Sequence, residues 1–392
     1  MAQPNIKINL SNNALGKIAL NEDGICGLLV SGYPSLDLAK IQIGKPFVIY
    51  SLAQAEALDI TSTGLNAFAH KQISDFYSVA KTGSELWIML FDGEEQTLSQ
   101  ALGTSEAMTQ FFADSKGRVK TLGVLKEFEG TEVVSDGLIS EVHSAVSPAQ
   151  ALCDAQKEIK QPLTIVLGGS GFTSNVSALK NYKTENFSSV AMLIAGKTST
   201  PAVGLLLGRI AKSPVQRKIS RVKDGSVCDV AYFSDGSAVE TKADMWDLIH
   251  DKGYIFLKSF PGKAGYFFND DQTLCADTND YNSLTASGVI GKVLRIVYKT
   301  LIEELSDEIY LEESGVIHPA IIKSWEAMVT RALNLQMVAT GEISGHLVYI
   351  DPDQDVLGNS KLEVSLKVLP VGYSKYIEVE IGYTTSLTNT TN

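Results

Sequence analysis

Cysteine is scarce and scattered. Cys26, Cys153, Cys228 and Cys275 are the only four in 392 residues, and no two stand in a C-x-x-C. That excludes a disulfide framework and a zinc knuckle, and fits four free thiols in a reducing compartment. Histidine is as uninformative. The five, at 70, 143, 250, 318 and 346, include no i, i+4 pair and no spacing that gathers metal ligands. His70, between Phe68 and Ile73, reads as a packed helix residue. Long apolar runs are missing too, with nothing near the roughly 20 residues that span a bilayer. The opening MAQPNIKINLSNN lacks a basic segment leading into an apolar core, so no signal peptide is expected. Positive charge is in deficit, 33 Lys and Arg against 45 Asp and Glu, a net charge of -12. A general nucleic-acid binder would carry the opposite balance.

What is present is core. Hydrophobic residues make up 44% of the chain, ordinary for a globular protein. From about 25 to 260, apolar runs alternate with helical patterns: ICGLLV, PFVIY, ELWIMLF, LTIVL, SVAMLI and YIFLKSF as strands. Helices are expected at LAQAEAL behind the cap Ser51, at 64–80, at TSEAMTQFFADS, at 139–160 with a break at Pro148, and at AVGLLLGRIA. Continuous apolar strands between helices predict an α/β fold with a central, largely parallel sheet covered on both faces. After 280 the pattern changes. Long helices are expected at 284–308 and at 319–340, the second starting at Pro319 and closed by Gly341. HLVYI and a terminal hairpin-like pair come next, a mixed helical and β part. The resulting division is an N-terminal arm at 1–20, an α/β core at 21–260, a C-terminal domain at 261–375, and a C-terminal arm with a polar tail at 376–392.

Several stretches imitate chemistry. LTIVLGGSGF offers Gly169 and Gly171 for a dinucleotide loop, but position 174 is Ser, and Phe172 stands where a nucleophile elbow needs glycine. AGKTST has Ala191 where a phosphate loop needs its first glycine, leaving Lys197 an ordinary loop residue. Asp351, Asp353 and Asp355 have calcium-loop spacing, but Val356 and Leu362 occupy the required glycine and glutamate positions. Asp270 and Asp271 pair in sequence with no base beside them, and read as a loop turn. No catalytic residue, cofactor or metal is expected, and the chain does not read as an enzyme.

The informative features are mechanical. Both ends are strand-like. Ile6, Ile8 and Leu10 alternate at one end; Ile377, Val379, Ile381 and Tyr383 alternate at the other, against Glu378 and Glu380. An unpaired strand must find a partner. The pattern alone fits either folding back or adding to another copy's sheet, and a head-to-tail contact that does not close builds a helix. In the long helix, Ile290, Leu294, Val297, Leu301 and Leu305 form an apolar stripe opposite Lys292, Arg295 and Lys299. It then runs into Glu303, Glu304, Asp307 and Glu308, charges set against its macrodipole. The basic side fits either solvent or an acidic partner.

These segments together resemble the sheath subunit of contractile phage tails and related injection particles. GKPFVIYSLAQAEALDI is similar to that family's strand, capped helix and turn, and NAFAHKQISDFYSVA to its histidine-containing helix. AVGLLLGRIAKSPVQRKISRVKDG resembles its small-residue helix and following strand. GYFFNDDQTLCADTNDYNSLTASGVIGKVLRIVYKTL resembles the turn into its long helix, and LEVSLKVLPVGYSKYIEVEIGY its ending. The chain departs at Gly288-Val289, where the family often carries an arginine. The resemblance implies a structural subunit that polymerises with itself, as hexameric rings stacked helically around an inner tail tube protein, and contracts to drive the tube through a cell envelope. Baseplate and tail terminator proteins are further implied partners; nucleic acid and membrane insertion are not. The implied location is a virion tail or contractile particle assembled in the bacterial cytoplasm. Carried onto this chain, Ile6, Ile8, Leu10, Ile377, Val379, Ile381 and Tyr383 would be inter-subunit arms. Lys292, Arg295, Lys299, Lys323 and Arg331 would face the tube or a neighbour. Another repeating structural or adaptor protein of such a particle is the alternative, and an α/β nucleotide-binding enzyme using the GGSG loop a further one.

Overall fold

The apolar runs assemble into one sheet. The computed structural model describes residues 22–383 apart from 36, 38, 39, 104 and 105, so Ile6, Ile8 and Leu10 lie outside the described residues. Six strands stand in the order Phe47–Ile49, Leu86–Phe91, Cys26–Ser31, Thr121–Leu125, Thr164–Gly168, Val190–Leu193. All neighbours are parallel except the Phe47–Ile49 edge, which is antiparallel to Leu86–Phe91. Cys26–Ser31 and Thr121–Leu125 are buried at every position. A strand covered on both faces has no polar side to alternate with, hence the unbroken runs. Gly27 and Leu122 share a register position. A Cβ on Gly27 would meet Phe111 of the Glu106–Asp114 helix, while one on Gly123 would meet Val203 and Leu207 of the Val203–Lys212 helix. These two helices therefore lie on opposite faces of the sheet.

Local signals act where the sequence puts them, with two corrections. Ser51 accepts the amide of Gln54 and starts the Leu52–Ala57 helix. The break in 139–160 falls at Ala145, between Ser140–Ser144 and Val146–Glu158. Pro148 sits in the first turn of the second helix, where no amide donor is needed. YIFLKSF contributes only Leu257–Lys258 as a ladder, with Ile255 bridging Leu193 in parallel.

The imitated sites are filled. The amide of Gly169 donates to Leu193 O at 2.8 Å and that of Phe172 to Ser234 Oγ at 3.0 Å. Phe172 is buried on Phe233, with ring centres 5.3 Å apart, so two of the loop's amides already have partners inside the protein. Lys197 pairs with Asp75 at 2.7 Å. Asp355 caps the short Val356–Asn359 helix through the amide of Gly358. Among the described residues, no three His, Cys, Asp or Glu side chains are grouped to hold a metal, and no helix is long and apolar enough to cross a membrane.

The large core runs from Ile25 to Leu284, so the segment 261–283 packs with the sheet rather than with the later helices. A second core gathers Val289, Val293 and Ile296 of the Leu284–Leu301 helix, Val329 and Leu333 of the Pro319–Leu333 helix, and Ile343 and Val348. The buried stripe is thus Val289–Val293–Ile296, one position round from the expected one; Ile290, Val297 and Leu301 are half-covered and Leu305 is exposed. The helix is wedged between two bodies, with Gly288 near Val215 and Gly291 near Pro162, so more than one side is covered. It also ends early. Helical geometry stops at Leu301 and Ile302–Glu304 is a 3-10 turn. Glu303 and Glu304 therefore follow directly on the helix C-terminus, where they still oppose the macrodipole, while Asp307 and Glu308 lie beyond its last turn.

Two half-buried imidazoles make this body acid-sensitive. Burial lowers the pKa of His143, whose Nδ1 lies 2.7 Å from the Tyr182 hydroxyl, and likewise that of His250 beside Asn269. The unfolded chain binds those protons from about pH 6.5 downward while the folded chain resists them, so stability is full above that range and is lost as pH falls below it. Melting temperature is expected to fall between pH 7.5 and 5.5, and replacing both histidines with Gln to flatten the slope.

Candidate assembly interface

The last paired strand is Val364–Pro370, antiparallel to Ile343–Ile350 with Leu366 opposite Val348 and Val364 opposite Ile350. Val364, Leu366 and Val368 turn onto the second core; Ser365, Lys367 and Leu369 face outward. The pleat explains the alternation. This sheet stops at two strands. Such a ribbon is marginal by itself, and its outer edges carry no further strand among the described residues.

Beyond Pro370 the backbone enters no ladder through Tyr383. Ile377 is 75% exposed, Val379 69% and Ile381 89%, and Tyr383 is fully exposed. These alternating apolar side chains are left largely uncovered by the described residues.

The approach to this segment is fixed. The Tyr373 hydroxyl donates to the Gln216 carbonyl, and Lys375 Nζ reaches Asp270 Oδ2 at 2.7 Å. Lys218 Nζ lies 5.3 Å from the Tyr373 ring centre, 3.1 Å from Asp270, and in contact with Asp271. Asp271 also accepts from the amide of Thr285 at 3.2 Å and from its hydroxyl. Burial pushes both carboxyls up; at Asp270 the ammonium groups of Lys218 and Lys375 overcome it and hold the group well below the usual carboxylate range. Burial works against the Lys218 charge, yet the two carboxylates raise its pKa above the ordinary value.

Of the five basic candidates, two are occupied internally. Lys292 bonds Asp23 and Glu342, each at 2.7 Å, and Arg295 pairs with Asp23. Burial opposes the Lys292 charge, but Asp23 and Glu342 hold its pKa above the ordinary value. Both side chains are mostly covered, because the helix face they occupy meets the chain's own Glu22–Gly24 turn. Lys299, Lys323 and Arg331 are exposed, Lys323 reaching Glu326 at 2.6 Å. Lys299 borders a cleft with Arg118 and Lys120. Burial and the neighbouring Arg295 push Lys120 down to about 8. Reading the sequence misses both ion clusters: Asp23 and Arg295 are 272 positions apart, Asp270 and Lys375 are 105 apart, and no local spacing joins them.

The N-terminal domain model of the family DUF2586 matches residues 3–272, and its C-terminal domain model residues 280–388. No curated protein matches the chain. Among solved structures, a chain of the anti-feeding prophage baseplate in the contracted state aligns with a TM-score of 0.62 at 14% identity, over 99% of this chain and 100% of that one. A chain of the PVC sheath complex of an extracellular contractile injection system, also contracted, aligns with a TM-score of 0.59 at 12% identity, over 99% and 98%. A chain of the six-fold symmetrised anti-feeding prophage baseplate gives 0.60 at 13% identity, over 98% and 100%. The whole chain thus has a fold found in chains of contractile particles.

Proposed function

The chain belongs to the DUF2586 family, and from that premise we propose that it is a structural subunit of a contractile sheath. It polymerises helically around an inner tube and contracts to drive that tube through a cell envelope. One observation carries the reading: the alternating apolar side chains at 377–383 are largely exposed, beside a sheet that has only two strands among the described residues. A chain with both a loose strand and an incomplete sheet is complementary to its own copies. The strand of one subunit completes the sheet of the next, a heterologous contact that propagates. The alternating sequence at Ile6, Ile8 and Leu10, outside the described residues, would serve as the second arm. Pro370-Val371-Gly372 is the junction between the strand that stays home and the one that leaves. Copies form hexameric rings, and the rings stack.

The work is mechanical and needs no catalytic group or cofactor. Lys299, Lys323 and Arg331 are the exposed basic side chains available to an inner tube protein or to a neighbour, Lys323 sharing its charge with Glu326; Lys292 and Arg295 are mostly covered beside their carboxylate partners. The sheath's ends meet baseplate and terminator proteins, and the particle assembles in the bacterial cytoplasm. Electron microscopy of the concentrated purified protein tests the reading, with hollow striated tubes as the expected product. Because two of the similar structures are baseplates, a ring-forming particle component is the second reading, and rings that never stack would select it.

A further inference from the structure

The first described turn and the stretch just after the last paired strand are each held by polar contacts to the other half of the chain. Glu22–Gly24, the first described turn, is bound through Asp23 to Lys292 and Arg295 of the late helix, and Lys292 continues to Glu342 at the start of the small sheet. Tyr373 and Lys375, where the chain leaves the small sheet, are bound to Gln216, Lys218 and Asp270 of the early body. Asp271, beside them, accepts the amides of Leu284 and Thr285 and so also starts the late helix.

We propose that these two crossed clusters are the fixed roots of the arms, with Asp23, Tyr373 and Lys375 as positioning residues. This rests on the sheath reading. Its mechanical content comes from geometry. Val364–Pro370 is the strand immediately before the C-terminal root. Were the root free, a pull on residue 376 would lift that strand from Ile343–Ile350 from its Pro370 end, breaking one rung at a time. With Tyr373 and Lys375 anchored, the pull passes into the Lys218–Asp270–Asp271 cluster, which is built into the large body and into the late helix. The strand is loaded only after the anchor opens. The entering chain is tied in the same manner to the helix that carries the second core. Both arms therefore leave from points set by both halves, and load on either arm reaches the two halves together.

Hydrogen–deuterium exchange on the unassembled protein tests this separately from polymerisation. Lys375 is largely exposed and Tyr373 sits at the surface, so Lys375→Ala and Tyr373→Ala are expected to melt within about 2 °C of wild type. In both variants the amides of 364–369 are expected to exchange about tenfold faster, because the strand end is released. Tubes of either variant are expected to shed subunits when contracted by heat. Lys375→Arg, which keeps the ion pair, is expected to restore wild-type exchange. Unchanged exchange at 364–369 in both alanine variants overturns the anchor. Absence of tubes from the wild-type protein overturns the sheath reading and leaves the exchange result standing on its own.

Discussion

Removal of residues 376–392 is expected to leave a monomer that folds and melts like the full chain and forms no tubes. The monomer is spared because Ile377, Val379, Ile381 and Tyr383 bury almost nothing against their own body. Assembly fails because the same four side chains are where the binding energy lies. Each apolar side chain of this size stabilises by about 1.5–3 kcal/mol when fully buried, and each ladder hydrogen bond nets about 0.5–1.5 kcal/mol. Ordering the strand opposes this at about 1–2 kcal/mol per residue. Burial and hydrogen bonds must therefore arrive together, as they do only in a partner's sheet. The critical concentration for tubes should rise at least about 100-fold, read by pelleting and by electron microscopy. Ile381→Asp within an intact arm should act in the same direction. Tubes of normal length from the truncated protein would remove the strand-exchange reading. Loss of the folded monomer would mean that the segment packs on its own body after all. Deletion of 1–12 is expected to have the same phenotype, through the other arm.

How much of this can be read without coordinates depends on the range of the interaction. The parallel strands are legible because burial on both faces writes itself into consecutive residues, as in Cys26–Ser31. The capping of Leu52–Ala57 by Ser51 is legible because donor and acceptor are neighbours. The direction of Phe47–Ile49 is not, since an antiparallel edge and a parallel one share the same apolar letters. The long helix shows a subtler limit. Its apolar and charged pattern runs on to Glu308, but the helix ends at Leu301, a stop that no glycine or proline marks in the sequence. The stripe is misjudged for a related reason: a helix packed between two bodies has no single apolar face. The candidate interface divides the same way. The alternation at 377–383 is local and visible, whereas the roots of the arms depend on Asp23 meeting Arg295 and Asp270 meeting Lys375. That pairing also commits Lys292 and Arg295 to carboxylates of their own chain, although their helical spacing gave no reason to separate them from Lys299.

Gly204→Ala is expected to destabilise the protein by about 3 kcal/mol or more, against the usual sign for a helix. Replacing a glycine inside a helix by alanine ordinarily gains about 1 kcal/mol in propensity. Here the Val203–Lys212 helix lies so close to the Ala67–Val79 helix that a Cβ on Gly204 would fall on the backbone carbonyl of Gln72, and one on Gly208 would lie 2.5 Å from that of Phe76. Backbone cannot rotate away as a side chain can, so the helices must part. Parting them breaks the Gln72 bridge, in which the buried amide side chain donates to Pro201 O and accepts from Gly204 N, each at 3.0 Å. Overpacking alone costs about 1–3 kcal/mol, and leaving that buried amide unpaired adds about 1–3 kcal/mol; both outweigh the propensity gain. Gly288→Ala is the control. Its Cβ would meet only the Val215 side chain, at 3.1 Å, and that methyl can move, so the propensity gain should survive and stability rise by up to about 1 kcal/mol. Urea titration of both variants decides the matter. The contrast with the truncation is the functional point. An arm lost from an intact body leaves a soluble subunit that cannot connect. A body whose helix pair is forced apart has no rigid unit to which an arm can transmit load, so Gly204→Ala should lose tubes only to the extent that it loses the fold.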